Sequence, residues 1–453
     1  MRKLPDAFAR LSLTALPEAE RPLLLEALRT GVPLRGLRLR PGVALDTVRA
    51  ALPGAYPPVP WAKDGYYLDA DAAAGVHPLH AAGAYYLQEP SAMCAAPLLD
   101  VRPGQRVLDL CAAPGGKSTQ IAALMAGRGL LCCNEPIPSR AQILSRNIER
   151  MGVRNAVVLS AMPDALAPRF PAFFDRILVD APCSGEGMFR RQPEARDEWD
   201  ADAPRRCADR QMEILAQAAK MLRPGGTMVY STCTFNDTEN EGVLKRFLAL
   251  HPEFSLVPFA LPGLPEAKDG YLHLYPHEMR GEGHFVSRLK KADGADEADA
   301  PVQAAPQRKA PARAAAKSKA PAPIALPDVF SDAFAPERLY TAGDALWMLP
   351  EGISIERLSG LRVLRTGLLL AHTEGKRSEP DHALAMALRP EEAARTASLT
   401  QTQALAYQAG ETLSLGDLPG GYTLLCCEGV SLGWGKQAGG LMKNHYPKGL
   451  RRR

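Results

Sequence analysis

From about residue 100 to residue 291, short apolar runs alternate with longer stretches whose apolar positions recur at helical spacing. Arg106–Leu110 predicts a strand, followed by a Gly-rich turn and a helix to about Ala126. Gly129–Asn134 predicts the next strand, and Pro138–Arg150 a helix with proline in its first turn, where the missing N–H has no helical partner to lose. Ala156–Leu159 and Arg176–Asp180 read as strands three and four. Pro204–Leu222 predicts a helix stopped by Pro224-Gly225-Gly226, then strand five at Thr227–Thr232. A helix over Asp237–Leu250 and a late strand at His284–Leu289 close the series. This alternation implies an α/β unit with a mostly parallel, doubly wound sheet, whose sites lie at the carboxyl ends of its strands.

The flanks differ. Residues 1–75 read as a small mixed α/β unit with helices near Leu4–Ala9 and Pro17–Thr30, and residues 76–291 as the core. From Ala292 to Pro327 the chain is nearly all Ala, Pro, Lys, Arg, Asp and Gln, without an aromatic residue. Such a segment buries too little apolar surface to offset its ordering entropy, so 292–327 is expected to be a disordered linker. Its cations (Arg308, Lys309, Arg313, Lys317, Lys319) suit a solvated tether better than an RNA contact. Residues 328–388 and 389–453 are expected to be small units rich in short strands.

A chain of 453 residues exceeds one ordinary core, and 46% hydrophobic with 23% charged residues is a soluble, globular composition. No run of about 18 apolar residues predicts a membrane span. The start, MRKLPDAFARLSL, is broken by Asp6 and Arg10 and lacks a secretory apolar core, so a cytoplasmic location without a membrane partner is expected. The nine cysteines include no CxxC pair and no zinc-like Cys/His spacing, so no metal is expected. The net charge of +4 hints weakly at a polyanionic partner.

Between strand one and its helix runs Cys111-Ala112-Ala113-Pro114-Gly115-Gly116-Lys117. Small residues admit a ligand close to the backbone, and the helix start offers free amides that suit a carboxylate. Glu135, after strand two, is placed to accept ribose hydroxyls. The loop is neither GxxxxGK[ST] nor GxGxxG, although a nicotinamide enzyme could use the same acid. Lys117, taken alone, reads as a solvated residue of the first helical turn.

Strand four ends DRILVDAPCSGEG and strand five MVYSTCTFNDTEN, which puts Asp180, Cys183 and Cys233 at neighbouring carboxyl ends. A lone buried cysteine is usually inert filler, and Cys94, Cys132, Cys133, Cys207, Cys426 and Cys427 read that way. Two cysteines at two strand ends, each beside turn residues, point to chemistry.

YYLQEPSAM (Tyr85–Met93), LDLCAAPGGKS (Leu108–Ser118), DAPCSGEGMF (Asp180–Phe189) and YSTCTFNDTENE (Tyr230–Glu241) resemble the four motifs of the Nop/Sun family of RNA 5-methylcytosine methyltransferases, in family order. The resemblance implies a Rossmann-like class I methyltransferase core that binds S-adenosylmethionine through Cys111–Lys117, Glu135 and Asp180. It also implies that Cys233 attacks carbon 6 of cytosine while Cys183 assists release; residue types alone do not choose between the two thiols. The chain departs from the family at Leu159–Asp164, where many members carry an acid that meets adenine. The end, GWGKQAGGLMKNHYPKGLRRR, resembles the PUA-like terminus of the RsmF-type branch, which methylates bacterial 16S ribosomal RNA. That likeness implies RNA-binding terminal domains, with Trp434, His445 and Tyr446 stacking on bases and Lys436, Lys443, Lys448 and Arg451–Arg453 meeting phosphates. Arg190, Arg191, Arg205, Arg206 and Arg210 are candidates to extend the basic surface. A transfer-RNA methyltransferase, a non-catalytic RNA-binding assembly factor and a dehydrogenase are the alternatives; both cysteines and the intact loop argue against the assembly factor, and a dehydrogenase predicts nicotinamide binding with no role for the thiols.

Overall fold

The computed structural model describes residues 3–294, 336–374 and 377–452. In the first unit β1 (Arg35–Leu39) pairs antiparallel with β2 (Gly65–Leu68) on one side and β3 (Tyr85–Leu87) on the other. Because β3 belongs to this sheet, the N-terminal unit runs to Leu87, past the boundary that hydrophobic pattern puts at residue 75. Helices Phe8–Ser12 and Arg21–Thr30 pack on the core instead, burying Phe8, Leu24 and Leu28 with Phe189, Trp199 and Phe235.

The core sheet holds five parallel strands, β4 (Arg106–Asp109), β5 (Leu130–Asn134), β6 (Ala156–Leu159), β7 (Phe174–Asp180) and β8 (Leu222–Thr232), in the order β6-β5-β4-β7-β8. The chain reverses direction of spread between β4 and β7, and that switch opens the crevice in which sites of such sheets form. On one margin β11 (His284–Lys291) runs antiparallel to β8, and β9 (Phe254–Leu256) and β10 (Tyr271–Leu274) pair with β11. Alternation along the strands builds two cores. Val107, Leu131, Val158, Leu178 and Val229 face one helical layer, and Leu108, Leu130, Val157, Ile177 and Met228 the other.

The helix before β8 ends at Met221 rather than at Pro224-Gly225-Gly226, and those three residues lie inside the strand. Pro224 biases Arg223 towards extended backbone, and Leu222 already pairs with Phe174.

Beyond the core, β12 (Leu339–Ala342) and β13 (Ala345–Met348) begin a third sheet, while β14 (Val363–Arg365) leaves it and pairs antiparallel with β6. The C-terminal half of the chain thereby covers an open edge of the core sheet. β15 (Leu368–Glu374) and β16 (Arg377–Pro380) complete the third sheet. In the last unit β17 (Thr396–Leu399) runs parallel to β18 (Gly421–Cys427), and β19 (Val430–Ala438) and β20 (Leu441–Asn444) follow antiparallel. This terminal sheet does not stand alone. Leu425, Leu432 and Met442 share one buried cluster with Leu37, Leu39 and Tyr85 of the N-terminal sheet. From residue 295 onward the expected linker lies outside the described residues.

Candidate active site

β4 delivers Asp109 to the sheet's carboxyl end, and the chain turns through Cys111–Gly115 into helix Gly116–Met125. Gly115 caps that helix at φ +112°, a conformation side-chain-bearing residues rarely adopt. At Gly116 the constraint is one of space. A Cβ there would stand 3.3 Å from Tyr86 Cε1 and 3.4 Å from Gln88 Cδ, side chains that the N-terminal sheet and its following loop press against the turn. Arg38 of β1 reinforces this contact by donating to the Gly116 carbonyl at 3.2 Å and to Thr119 Oγ1 at 2.6 Å.

Lys117 is largely buried rather than solvated, with 12% of its side chain exposed. Its Nζ lies 2.8 Å from Asp180 Oδ2 at the end of β7. Burial works against the Lys117 charge, but the Asp180 carboxylate more than restores it and holds the ammonium above its ordinary range. Asp180 in turn is held below the usual carboxylate range despite its burial, by Lys117 and by Ser231, whose hydroxyl donates at 2.8 Å. His284 Nε2 is 3.7 Å from Asp180 Oδ1. Burial and the nearby Lys117 push the imidazole down to about 3, so it is neutral at physiological pH. Asp109 is fully buried, accepts from Ser118 Oγ at 2.6 Å and leaves Oδ1 without a partner. Burial raises its carboxyl to about 7.

Cys183 and Cys233 leave the ends of β7 and β8, and their sulfurs lie 3.2 Å apart. The Cys233 amide also donates to Cys183 Sγ at 3.3 Å. Hydrogen bonding to Cys233, then burial, keep the Cys183 thiol well above the ordinary cysteine range. Cys94, Cys132, Cys133, Cys426 and Cys427 are buried, and burial pushes each of their thiols up.

A cleft of about 470 Å³ is lined by Cys111, Ala112, Ala113, Pro114, Gly116, Lys117, Asp180 and Cys233 together. Gly115, Glu135 and Cys183 stand off its lining. Glu135 is buried, accepts from the Ile137 amide at 3.0 Å and pairs at 3.3 Å with Arg140, which does reach the cleft. Ser160, in the stretch that departs from the Nop/Sun pattern, donates to the Pro136 carbonyl at 3.3 Å, and Asp164 is exposed.

Known proteins match this architecture along its length. The N-terminal domain of 16S rRNA methyltransferase RsmF matches residues 4–90, and 16S rRNA methyltransferase RsmB/F matches 96–290. The RsmF first C-terminal domain matches 327–388 and the RsmF PUA domain 394–452. Ribosomal RNA small subunit methyltransferase F of Erwinia tasmaniensis is 33% identical over 415 residues, 87% of this chain and 84% of that one. The chain belongs to the ribosomal RNA small subunit methyltransferase F family. An Escherichia coli O6:H1 member is 35% identical over 410 residues, again 87% of this chain and 84% of that one. A methyltransferase homolog from Pyrococcus horikoshii, solved by crystallography, is 29% identical with a TM-score of 0.52, over 60% of this chain and 90% of that one. NSun6 from the same organism, crystallised with SFG, has a TM-score of 0.57 at 20% identity, over 65% of this chain and 100% of that one, a likeness of fold alone.

In this member of the methyltransferase F family, the PUA region corrects part of the sequence reading. Trp434 and Tyr446 are only 2% and 5% exposed, so they are core residues and offer no face for base stacking. Trp434 Nε1 donates to the Asp381 carbonyl at 2.8 Å, and Tyr446 packs edge-on against Tyr407. Lys443, Lys448 and Arg452 remain exposed. Arg190 is buried in an ion pair with Glu282 at 2.7 Å, and Arg206 pairs with Asp200 at 2.7 Å, which leaves Arg191 as the cation of that group that lines the cleft.

Sequence reasoning also missed residues. Glu239 accepts from the Ser184 amide at 3.0 Å, from Asn236 Nδ2 at 2.8 Å and from Gln211 Nε2 at 2.8 Å; Glu186 accepts from the Phe235 and Asn236 amides at 2.8 and 3.1 Å. These two carboxylates bind the loop carrying Cys183 to the loop carrying Cys233. Both lie within the recognised motifs, so their position was visible but not their partners. His284 had no local signal. Only the pairing of Phe285 with Thr232 brings it beside Cys233.

Proposed function

We propose that this protein transfers a methyl group from S-adenosylmethionine to carbon 5 of a cytosine in 16S ribosomal RNA, with Cys233 as covalent nucleophile and Cys183 assisting release. The observation that carries this reading is the 3.2 Å approach of two thiols at the ends of adjacent parallel strands, one of them lining the cleft beside the loop Cys111–Lys117. The RsmF-specific regions on both sides of the core support a small-subunit ribosomal substrate over a transfer RNA.

The cleft suits the methyl donor. The turn brings bare backbone and the first amides of helix Gly116–Met125 to the cavity wall, where a carboxylate is favoured. Asp109 Oδ1 is buried without a protein partner, and an amino group is what such an atom lacks. Cys111–Lys117, Glu135 and Asp180 would hold the cofactor, with Asp180 kept ionised by Lys117 and so favourable beside a cationic centre. When bound, S-adenosylmethionine supplies an electrophilic methyl sulfonium.

Carbon 5 of cytosine is a poor nucleophile, and the target base must leave its stack to enter such a cleft. Cys233, as thiolate, forms a bond to carbon 6 and drives the double-bond electrons onto carbon 5, which can then take the methyl group. Before addition, Cys183 keeps its proton, because the contact with Cys233 and then burial raise its thiol. Once Cys233 is bonded to carbon, the larger of these two effects is gone and Cys183 can lose its proton to water. Its thiolate then takes the proton from carbon 5. The C–H electron pair restores the ring double bond, the S–C6 bond breaks, and Cys233 returns as thiolate beside a Cys183 thiol.

Bisulfite sequencing of 16S ribosomal RNA from a strain lacking the gene tests the substrate. One cytosine resistant to conversion should become convertible, and reintroducing the gene should restore resistance. A change confined to a transfer RNA would refute the ribosomal assignment.

A further inference from the structure

A second cavity, of about 300 Å³, lies where three parts of the chain meet. Arg40, the residue after β1, lines it from the N-terminal unit; Gly152 and Arg154 line it from the turn before β6; Arg389 lines it from the segment after helix His382–Ala387. The Arg154 guanidinium donates to the Ala387 carbonyl and pairs with Glu392, whose carboxylate also accepts from the Arg389 amide at 2.8 Å. The one carboxylate among these groups is therefore committed to Arg154. Among the described residues no acidic side chain pairs with Arg40, and its Nη1 is buried without any hydrogen-bond partner. Gly152, at φ +64°, permits this closeness, because a Cβ there would stand 2.3 Å from the Met386 carbonyl oxygen and 2.6 Å from Arg40 Nη2.

Three guanidinium groups against one carboxylate leave a cationic cavity. Burial, then repulsion from Arg154 and Arg389, lower the Arg40 guanidinium to about 10, with Glu392 opposing. It stays charged at neutral pH and lacks a counter-ion. An unpaired buried cation is costly, and the fork of N–H groups that Arg presents fits the oxygens of a phosphate. Arg389 is exposed and forms a rim open to a polymer.

We infer that this cavity seats a phosphate group of the RNA backbone, so that one phosphate ties together the N-terminal unit, the core and the C-terminal half. The inference rests on the reading of RNA as substrate. It does not involve the cleft that holds Cys233.

The test is binding of a 16S ribosomal RNA fragment by the full chain without methyl donor, over a range of salt, for the parent, Arg40→Met and Arg389→Gln. Inorganic phosphate is the second probe, read by thermal unfolding. Each variant should bind the RNA about tenfold more weakly, and its log–log salt slope should fall by roughly 0.7–0.9, the value of one lost phosphate contact. Phosphate should raise the melting temperature of the parent and not of Arg40→Met. Should Arg40→Met fail to fold, the exposed Arg389→Gln carries the comparison. Unchanged RNA affinity and salt slope in both variants overturn the inference. Phosphate protection without any change in RNA binding also overturns it, assigning the cavity to free phosphate. A parent that binds the RNA but methylates no cytosine sinks the catalytic reading and leaves this test intact.

Discussion

Lys117 Nζ lies 2.8 Å from Asp180 Oδ2, and this largely buried ion pair fastens the loop after β4 to the carboxyl end of β7. Removing one partner leaves the other charge uncompensated, so Lys117→Met should lose roughly 3–5 kcal/mol of stability. Lys117→Met with Asp180→Asn should recover much of it. The folded Asp180 carboxyl is held below its ordinary value of 3.8, so its contribution is whole above that pH and is lost as pH falls through the lowered value. The stability gap between parent and Lys117→Met should therefore narrow as pH falls below 3.8. A gap in urea unfolding that stays the same from neutral pH to below 3.8 would contradict the role given to the pair.

The two sulfurs at 3.2 Å make opposite predictions for their variants. Cys183→Ala still permits addition to carbon 6 but slows release, so a protein–RNA adduct should survive denaturing electrophoresis. Cys233→Ala should give no adduct and no methyl transfer. The reverse pattern would exchange the two roles.

Glu239 is raised from 4.5 to about 7 by burial, against three donors that favour its charge. A raised folded value means that its contribution is present below pH 4.5 and is lost as pH rises through about 7. In Glu239→Gln that loss should vanish, so the gap in stability between parent and variant should shift in the variant's favour from pH 5 to pH 8. Asp109, also raised to about 7, titrates in both proteins and cancels. The amide cannot accept from all three donors, so the variant should still lose about 1–3 kcal/mol at low pH. Urea unfolding at the two pH values reads both effects; a gap that does not move would exclude Glu239 as the titrating group.

Ending the chain after Lys291 should produce aggregates, even though the parallel sheet remains whole. The cut bares the face of Leu37, Leu39 and Tyr85 that packs with Leu425 and Leu432, and it uncovers the β6 edge that β14 occupies. Light scattering on the truncated chain is the check. A monodisperse monomer would show that the C-terminal half is dispensable for the fold.

What the sequence determined by itself is local. Apolar runs such as Val157–Leu159 and Ile177–Val179 specify strands, because every position along them is buried in one of two helical layers. The small residues of Cys111–Gly116 and the PC and TC motifs at strand ends are legible for the same reason, since each is a short contiguous signal. The tertiary structure alone decided which strands are neighbours. No local pattern tells Val363–Arg365 to leave its own unit for the β6 edge, or sets His284 against Cys233 through the Phe285–Thr232 pair. Nor does one reveal that Trp434 is a core residue whose indole N–H is already bonded to Asp381. Hydrogen-bond pairing and burial are properties of partners far apart along the chain, and a residue's type does not say which partner it will meet.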